Sequence, residues 1–289
     1  MKRHAWARNS ARVALVLLIG SLGGVSAGAV ETNSADSVNR KVLRVCSTPS
    51  NLPYSNEKGE GYENKIAEIV AEELKLPLEY KWFPQGLGFV RKTLAEKKCD
   101  LVIGTAQGDE FTLNTNPYYR TTYALVYRAG KGLDGLTSLF DERLKDKRVG
   151  LQAGAPPGDQ VAKAGLMVKA KPYLLMVDTR YDNPMIEMIK DVRSGETDLA
   201  VLWGPYAGYY ANQDPNAEKL VVTPMLEEVP GMPKLEYRLT MGVRAGEVTW
   251  KRQINDIIAK RQGDIDAVLL SYGVPLIDED NKMITAARK

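Results

Sequence analysis

Two stretches of this chain say nearly the same thing a hundred residues apart. KTLAEKKCDLVIGT (Lys92–Thr105) and KDVRSGETDLAVLWG (Lys190–Gly204) each read as a helix end, a polar turn, Asp-Leu, an apolar strand and a glycine. Each closes a block of alternating strands and helices. In the first block, VLRVC (Val42–Cys46) is a short apolar strand and Tyr62–Leu74 a helix with Ile66, Ile69, Val70 and Leu74 at helical spacing. Pro77 ends that helix, LEYKWF (Leu78–Phe83) is a second strand, Gly88–Lys97 a second helix and CDLVIG (Cys99–Gly104) a third strand. In the second block, Asp146–Gly154 is a strand, Gln160–Gly165 a helix, LLMVD (Leu174–Asp178) a strand, NPMIEMIKDVRSG a helix and DLAVLWG a strand. Short connections between such elements predict parallel sheets with right-handed crossovers.

Two extended segments, Tyr118–Gly130 and Tyr237–Gly246, both end in Arg-Ala-Gly and read as strands crossing between the blocks. A chain that goes out, builds a second block and returns makes a two-lobed α/β clamp. The expected division is residues 41–126 plus 241–289 for the first lobe and 127–240 for the second. TWKRQINDIIAKRQGD and IDAVLLSYG add helices after the return.

The N-terminus is not part of this pattern. Lys2, Arg3, Arg8 and Arg12 precede an apolar run, Val13–Gly20, and small residues follow to Ala27 and Ala29. That is the pattern of a cleavable signal peptide over 1–29, and the run is too short for a membrane span of roughly 20 residues. Residues 30–40 read as a polar, mobile lead-in. The whole chain has 39 basic and 36 acidic residues; four basic and no acidic residues lie in 1–29, which leaves 35 against 36. The excess positive charge therefore belongs to the export signal, and neither nucleic-acid binding nor stable membrane insertion is expected. The single histidine, His4, lies in the same segment. The exported chain has no imidazole for a triad, a metal site or a proton shuttle.

Cys46 and Cys99 are the two cysteines. An oxidising compartment favours a disulfide. Parallel register opposes it: the expected offset of about four residues is roughly 13 Å at 3.3 Å per residue, against a Cα separation of about 7 Å at most for a bond. The pairing stays open on these grounds. No spacing suggests a metal site.

The phrases LRVCSTPSNLPYS, GYENKIAEIVAEELKL, KKCDLVIGTA, KRVGLQAGAPPGD, SGETDLAVL and MGVRAGEVTWKRQINDIIAKRQGDIDAVLLSYGVP, in that order, resemble type II periplasmic solute-binding proteins of the amino-acid-receptor branch over about Leu43–Gly273. CSTPSNLPYSNEKGEGYENKIAE, WFPQGLGFVRKTL and LAVLWGPYAGYYA are similar to a narrower group, the quinoprotein-dehydrogenase-associated solute-binding-like proteins of methylotrophs (MxaJ/XoxJ type). That resemblance implies a monomeric periplasmic accessory protein serving a PQQ-dependent methanol dehydrogenase. It implies no catalysis and no cofactor of its own.

In open α/β sheets ligands sit beyond the carboxyl ends of the strands. Those ends are Ser47-Thr48-Pro49, Gly104-Thr105-Ala106, Gly154-Ala155-Pro156 and Trp203-Gly204-Pro205, expected to face one interlobe cleft. The amino-acid receptors need an arginine shortly after the third strand and an aspartate at the end of the matching second-lobe strand. Here TAQGDEFTLNT has no arginine, and no acid stands near Trp203. A zwitterion would lose water without finding paired charges, at a cost of several kcal/mol. Tyr54, Trp203 and Tyr206 are the expected wall of an aromatic cleft, wide enough for a peptide segment or a partly folded loop of the dehydrogenase.

Blander readings compete at each position. Trp203 and its tyrosines also suit packing between helices, and Trp82-Phe83 suit covering a strand end. Asp109 and Glu110 suit a solvated loop, Asp100 and Asp198 strand-start chemistry, and Met176, Met185 and Met188 ordinary core. The loop Gly154–Gly158 could present N–H groups to an anion, but its two prolines remove two donors. The competing function is a receptor delivering a small solute to a membrane permease.

Overall fold

The structure, a computed structural model, describes residues 40–84, 86 and 88–288. The expected signal peptide and all of the lead-in except Arg40 lie outside the described residues. No helix among the described residues is long and apolar enough to cross a membrane.

The first block runs β1 (Leu43–Ser47), a small hairpin of β2 (Ser50–Asn51) and β3 (Ser55–Asn56), α1 (Tyr62–Leu74), β4 (Leu78–Trp82), α2 (Phe89–Lys92) and β5 (Leu101–Ala106). A long strand, β6 (Leu113–Arg128), leads to β7 (Val149–Gln152), α3 (Gly158–Lys163), β8 (Lys171–Tyr173), α4 (Pro184–Ser194), β9 (Leu199–Trp203), α5 (Gly204–Ala211) and β10 (Leu220–Pro224). The chain returns through β11 (Glu236–Val243) and ends in α6 (Val248–Lys260) and α7 (Gln262–Ser271).

The strand order is β4-β1-β5-β11-β6-β9-β7-β8, with β10 also on β6. β1 is parallel to β4 and β5, and β7 is parallel to β8 and β9, so each half carries the parallel trio its crossovers predict. β6 joins the halves. Its residues up to Thr122 pair with β11, and Tyr123–Tyr127 pair with β9, Tyr123 opposite Trp203. The return is made just before β11: Tyr123 donates its N–H to Leu235 O and accepts one from Met225.

The repeated Asp-Leu phrase is repeated geometry. Asp100 N–H donates to Arg44 O and Asp198 N–H to Arg148 O, at 2.7 and 2.9 Å. In return each carboxylate accepts the N–H of the same arginine. Both aspartates start a strand by bonding its parallel neighbour.

Helix α4 shows how local chemistry sets an element. Asn183 caps it by accepting from Ile186 N–H, Pro184 opens it and Gly195 ends it at φ 84°. Met185, Met188, Ile189 and Val192 fall on one face and are buried. Full burial of each contributes about 1.5–3 kcal/mol. Along β6, Leu125 and Tyr127 enter one apolar layer, Ala124 and Val126 the opposite one.

Four expectations need correction. The strand expected at Leu174–Asp178 is three residues earlier: β7 offers only Gly150–Gln152 to pair with, and these meet Lys171–Tyr173. Leu174, Leu175 and Met176 run past the sheet edge and are 64, 41 and 64% exposed, so Met176 is not core, while Met185 and Met188 are. The helix expected over Gly88–Lys97 stops at Lys92, where the Thr93 hydroxyl bonds Phe89 O and the chain turns through Lys97 at φ 57°. The segment after Trp203, expected as a strand end facing the cleft, is a helix from Gly204. Pro205 is pre-set for a first helical turn, and a Cβ on Gly204 would lie 2.3 Å from Thr122 O, so glycine alone lets α5 start against β6.

Cys46 and Cys99 are joined by a disulfide, with Cα atoms 5.5 Å apart. The register argument treated Cys99 as extended strand. The strand begins only at Leu101, whose neighbour Val102 faces Cys46, and the turn before it folds Cys99 back into an apolar cluster with Cys46, Leu94 and Val102.

Candidate functional site

A cavity of ≈ 610 Å³ lies at the carboxyl ends of β1, β5, β7 and β9. Of the residues expected there, Ser47, Thr48, Tyr54, Gly104, Thr105, Ala106, Pro156, Trp203 and Tyr206 line it. Pro49, Gly154, Ala155 and Gly204 do not. Ala155 packs into the second half's core, and Gly204 is buried against Thr122 and Pro275. The N–H groups of Ala155 and Gly158 are taken by Gln152 O and Ala155 O, so that loop turns its donors inward.

Trp203 is both wall and packing. It ends β9 and begins α5, with ring contacts to Tyr123 at 5.1 Å and Tyr237 at 5.4 Å. Its Nε1–H donates to Tyr54 Oη at 2.5 Å. Tyr206, one turn along α5, donates to Asn51 Oδ1 at 3.0 Å, and Tyr210 to Leu52 O at 2.7 Å. Ser50 Oγ donates to Thr179 O at 3.1 Å. Every one of these bonds joins the β2–β3 hairpin of the first half to the second half, so the cleft is fastened at one side by aromatic hydroxyl and indole groups.

Sequence reasoning missed Asn51, Glu63, Tyr123, Gln152 and Tyr237, all on the lining. Glu63 is the consequential omission. It stands in the first turn of α1, where an amphipathic pattern reads as solvated surface. Instead its carboxylate lies over β5: a Cβ on Gly104 would be 2.1 Å from Glu63 Oε1. Glycine at 104 is what lets the carboxylate sit there. Glu63 is half-buried on the cavity lining, and burial raises its pKa to about 8. The surrounding phenols, Tyr54, Tyr62 and Tyr206, are likewise held above the ordinary range by burial. Among the described lining residues there are two carboxylates, Glu63 and Asp109, and no lysine, arginine or histidine. The arrangement suits an apolar or cationic group and, among the described residues, offers an anion no charged partner.

The chain is 30% identical over 253 residues to the protein MoxJ of Methylorubrum extorquens, covering 83% of each. It belongs to the MoxJ/XoxJ family. No family model matches it. Solved members of the MoxJ/XoxJ family share the architecture. The periplasmic binding protein XoxJ of Methylobacterium extorquens AM1 is 44% identical with a TM-score of 0.69, over 82% of this chain and 100% of that one. MxaJ of Methlophaga aminisulfidivorans is 27% identical with a TM-score of 0.71, over the same shares. The type II periplasmic-binding-protein clamp and the association with methanol oxidation follow from membership.

Proposed function

We propose that this protein is a non-enzymatic accessory factor of a PQQ-dependent methanol dehydrogenase, acting in assembly, maturation or activation, and that a segment of that enzyme docks in the aromatic cleft. One observation carries the reading. The ring of Trp203 lines the cleft with those of Tyr54 and Tyr206, at the position where the sequence resemblance to amino-acid receptors leads one to expect a charged anchor. The segment that sends Leu175, Met176, Val177 and Thr179 into the lining also carries exposed apolar side chains: Leu174, Met176 and Tyr181 are 64, 64 and 83% exposed. Exposed apolar groups rimming a concave site suit a protein partner. The volume also suits a small solute, since ligand pockets of about 300–1,000 Å³ are common, and a permease-linked receptor is the second reading. Titrating the mature protein against purified dehydrogenase tests the first. Saturable association that Trp203→Asp weakens supports it; no association at micromolar concentrations, together with uptake defects in a deletion strain, supports the second.

A further inference from the structure

The cleft contains an acid with no counterpart. Glu63 accepts no hydrogen bond from the protein among the described residues, and no cationic side chain lines the cavity with it. The ionisable groups that face it come from five elements: Tyr54 in the β2–β3 hairpin, Tyr62 on its own helix, Tyr80 on β4, Tyr118 and Tyr119 on β6 and Tyr206 on α5. All are phenols kept neutral by burial. The protein thus holds a carboxylate against the β5 backbone, beside aromatic rings, and supplies nothing to balance its charge.

We propose that the cleft is a site for a single organic ammonium group, held by the Glu63 carboxylate and the rings of Tyr54, Trp203 and Tyr206. A carboxylate stabilises such a cation by charge, and aromatic rings by their quadrupoles. The site has no arginine or lysine to receive a companion carboxylate, so an amino acid does not fit and a bare amine does. The ammonium arrives on a free small amine or on a lysine side chain of the docked dehydrogenase segment; the second source rests on the function proposed above. When the cation enters, Glu63 gives up its proton, so binding of a permanently charged cation tightens as pH rises toward 8.

Benzyltrimethylammonium, whose charge is fixed, is the probe, with neutral benzyl alcohol as control, titrated calorimetrically into the mature protein. The wild type is expected to bind the cation with affinity rising by up to roughly tenfold per pH unit below the Glu63 pKa. Glu63→Gln is expected to lose about tenfold or more at pH 8 and to lose the pH dependence, with benzyl alcohol indifferent to both. Gly104→Ala, which pushes the carboxylate aside without removing it, is expected to reproduce the loss. If no free cation binds the wild type, the lysine source requires that Glu63→Gln weaken association with the dehydrogenase by a similar factor. Equal behaviour of wild type and Glu63→Gln toward both the cation and the dehydrogenase overturns the proposal, as does binding of neither to the wild type. Glu63-dependent cation binding without any dehydrogenase association overturns the accessory reading and leaves the ammonium site standing.

Discussion

The indole of Trp203 donates to the phenol of Tyr54 across the mouth of the cleft, at 2.5 Å. The two residues are 149 positions apart, one at the end of β9 and one in the turn of the β2–β3 hairpin, and the bond draws the two halves of the clamp together on that side. Tyr206 and Tyr210 repeat the gesture toward Asn51 and Leu52. These three bonds fasten the hairpin of the first half to the second half.

Trp203→Phe removes that donor and keeps most of the packing on Tyr123 and Tyr237. A net hydrogen bond is worth about 1 kcal/mol, so the melting temperature is expected to fall by about 2–4 °C. Small-angle scattering is expected to show a more open average clamp; an unchanged melting temperature and radius of gyration would mean the bond does not hold the cleft.

Glu63 makes stability depend on pH with an unusual sign. Its folded-state pKa is raised to about 8, against about 4.3 for an unfolded glutamate. The folded state therefore holds the proton more tightly, and stability declines as pH rises between those values. Relative to Glu63→Gln, the wild type is expected to lose melting temperature from about pH 5 to pH 8, with a constant difference above. Parallel curves across that range would remove the buried-acid interpretation.

The Cys46–Cys99 bond spans 53 residues of sequence. A loop of that size contributes about 4 kcal/mol through the unfolded chain, so the double variant Cys46→Ala/Cys99→Ala is expected to melt roughly 8–16 °C lower. Thiol labelling of the unfolded wild type without reductant is expected to find no free cysteine. Two labelled cysteines would contradict the bond.

The absent anchors give a plainer expectation. Calorimetry against the twenty standard amino acids is expected to find no sub-millimolar binder, since a zwitterion finds no arginine after β5 and no acid at Trp203. A single micromolar amino acid would show that some other group receives its carboxylate.

Much of the scaffold was legible because its signals are local. Helix α1 runs over Tyr62–Leu74 as its apolar spacing and Pro77 require, and the Asp100 and Asp198 phrases announce two equivalent strand starts. What stayed hidden depends on neighbours distant in sequence. LLMVD has the composition of a strand, but the short β7 has no partners left for it. The helix after Trp203 depends on Gly204 clearing the backbone of Thr122. Glu63 looks like any polar residue on a helix face until β5 is placed beneath it, and only then does Gly104 become its seat. The disulfide escaped the register argument because a turn, not a strand, carries Cys99.

The central claim is that the aromatic cleft serves a PQQ-dependent methanol dehydrogenase. A strain lacking this protein, complemented with either the wild type or Trp203→Asp, tests it in one assay of periplasmic methanol dehydrogenase activity, with the melting temperature of the purified variant measured alongside. The account predicts that the wild type restores activity and that Trp203→Asp stays folded but does not, because the new carboxylate puts an unpaired charge where the partner must exclude water. Full restoration of activity by a normally folded Trp203→Asp protein would contradict it.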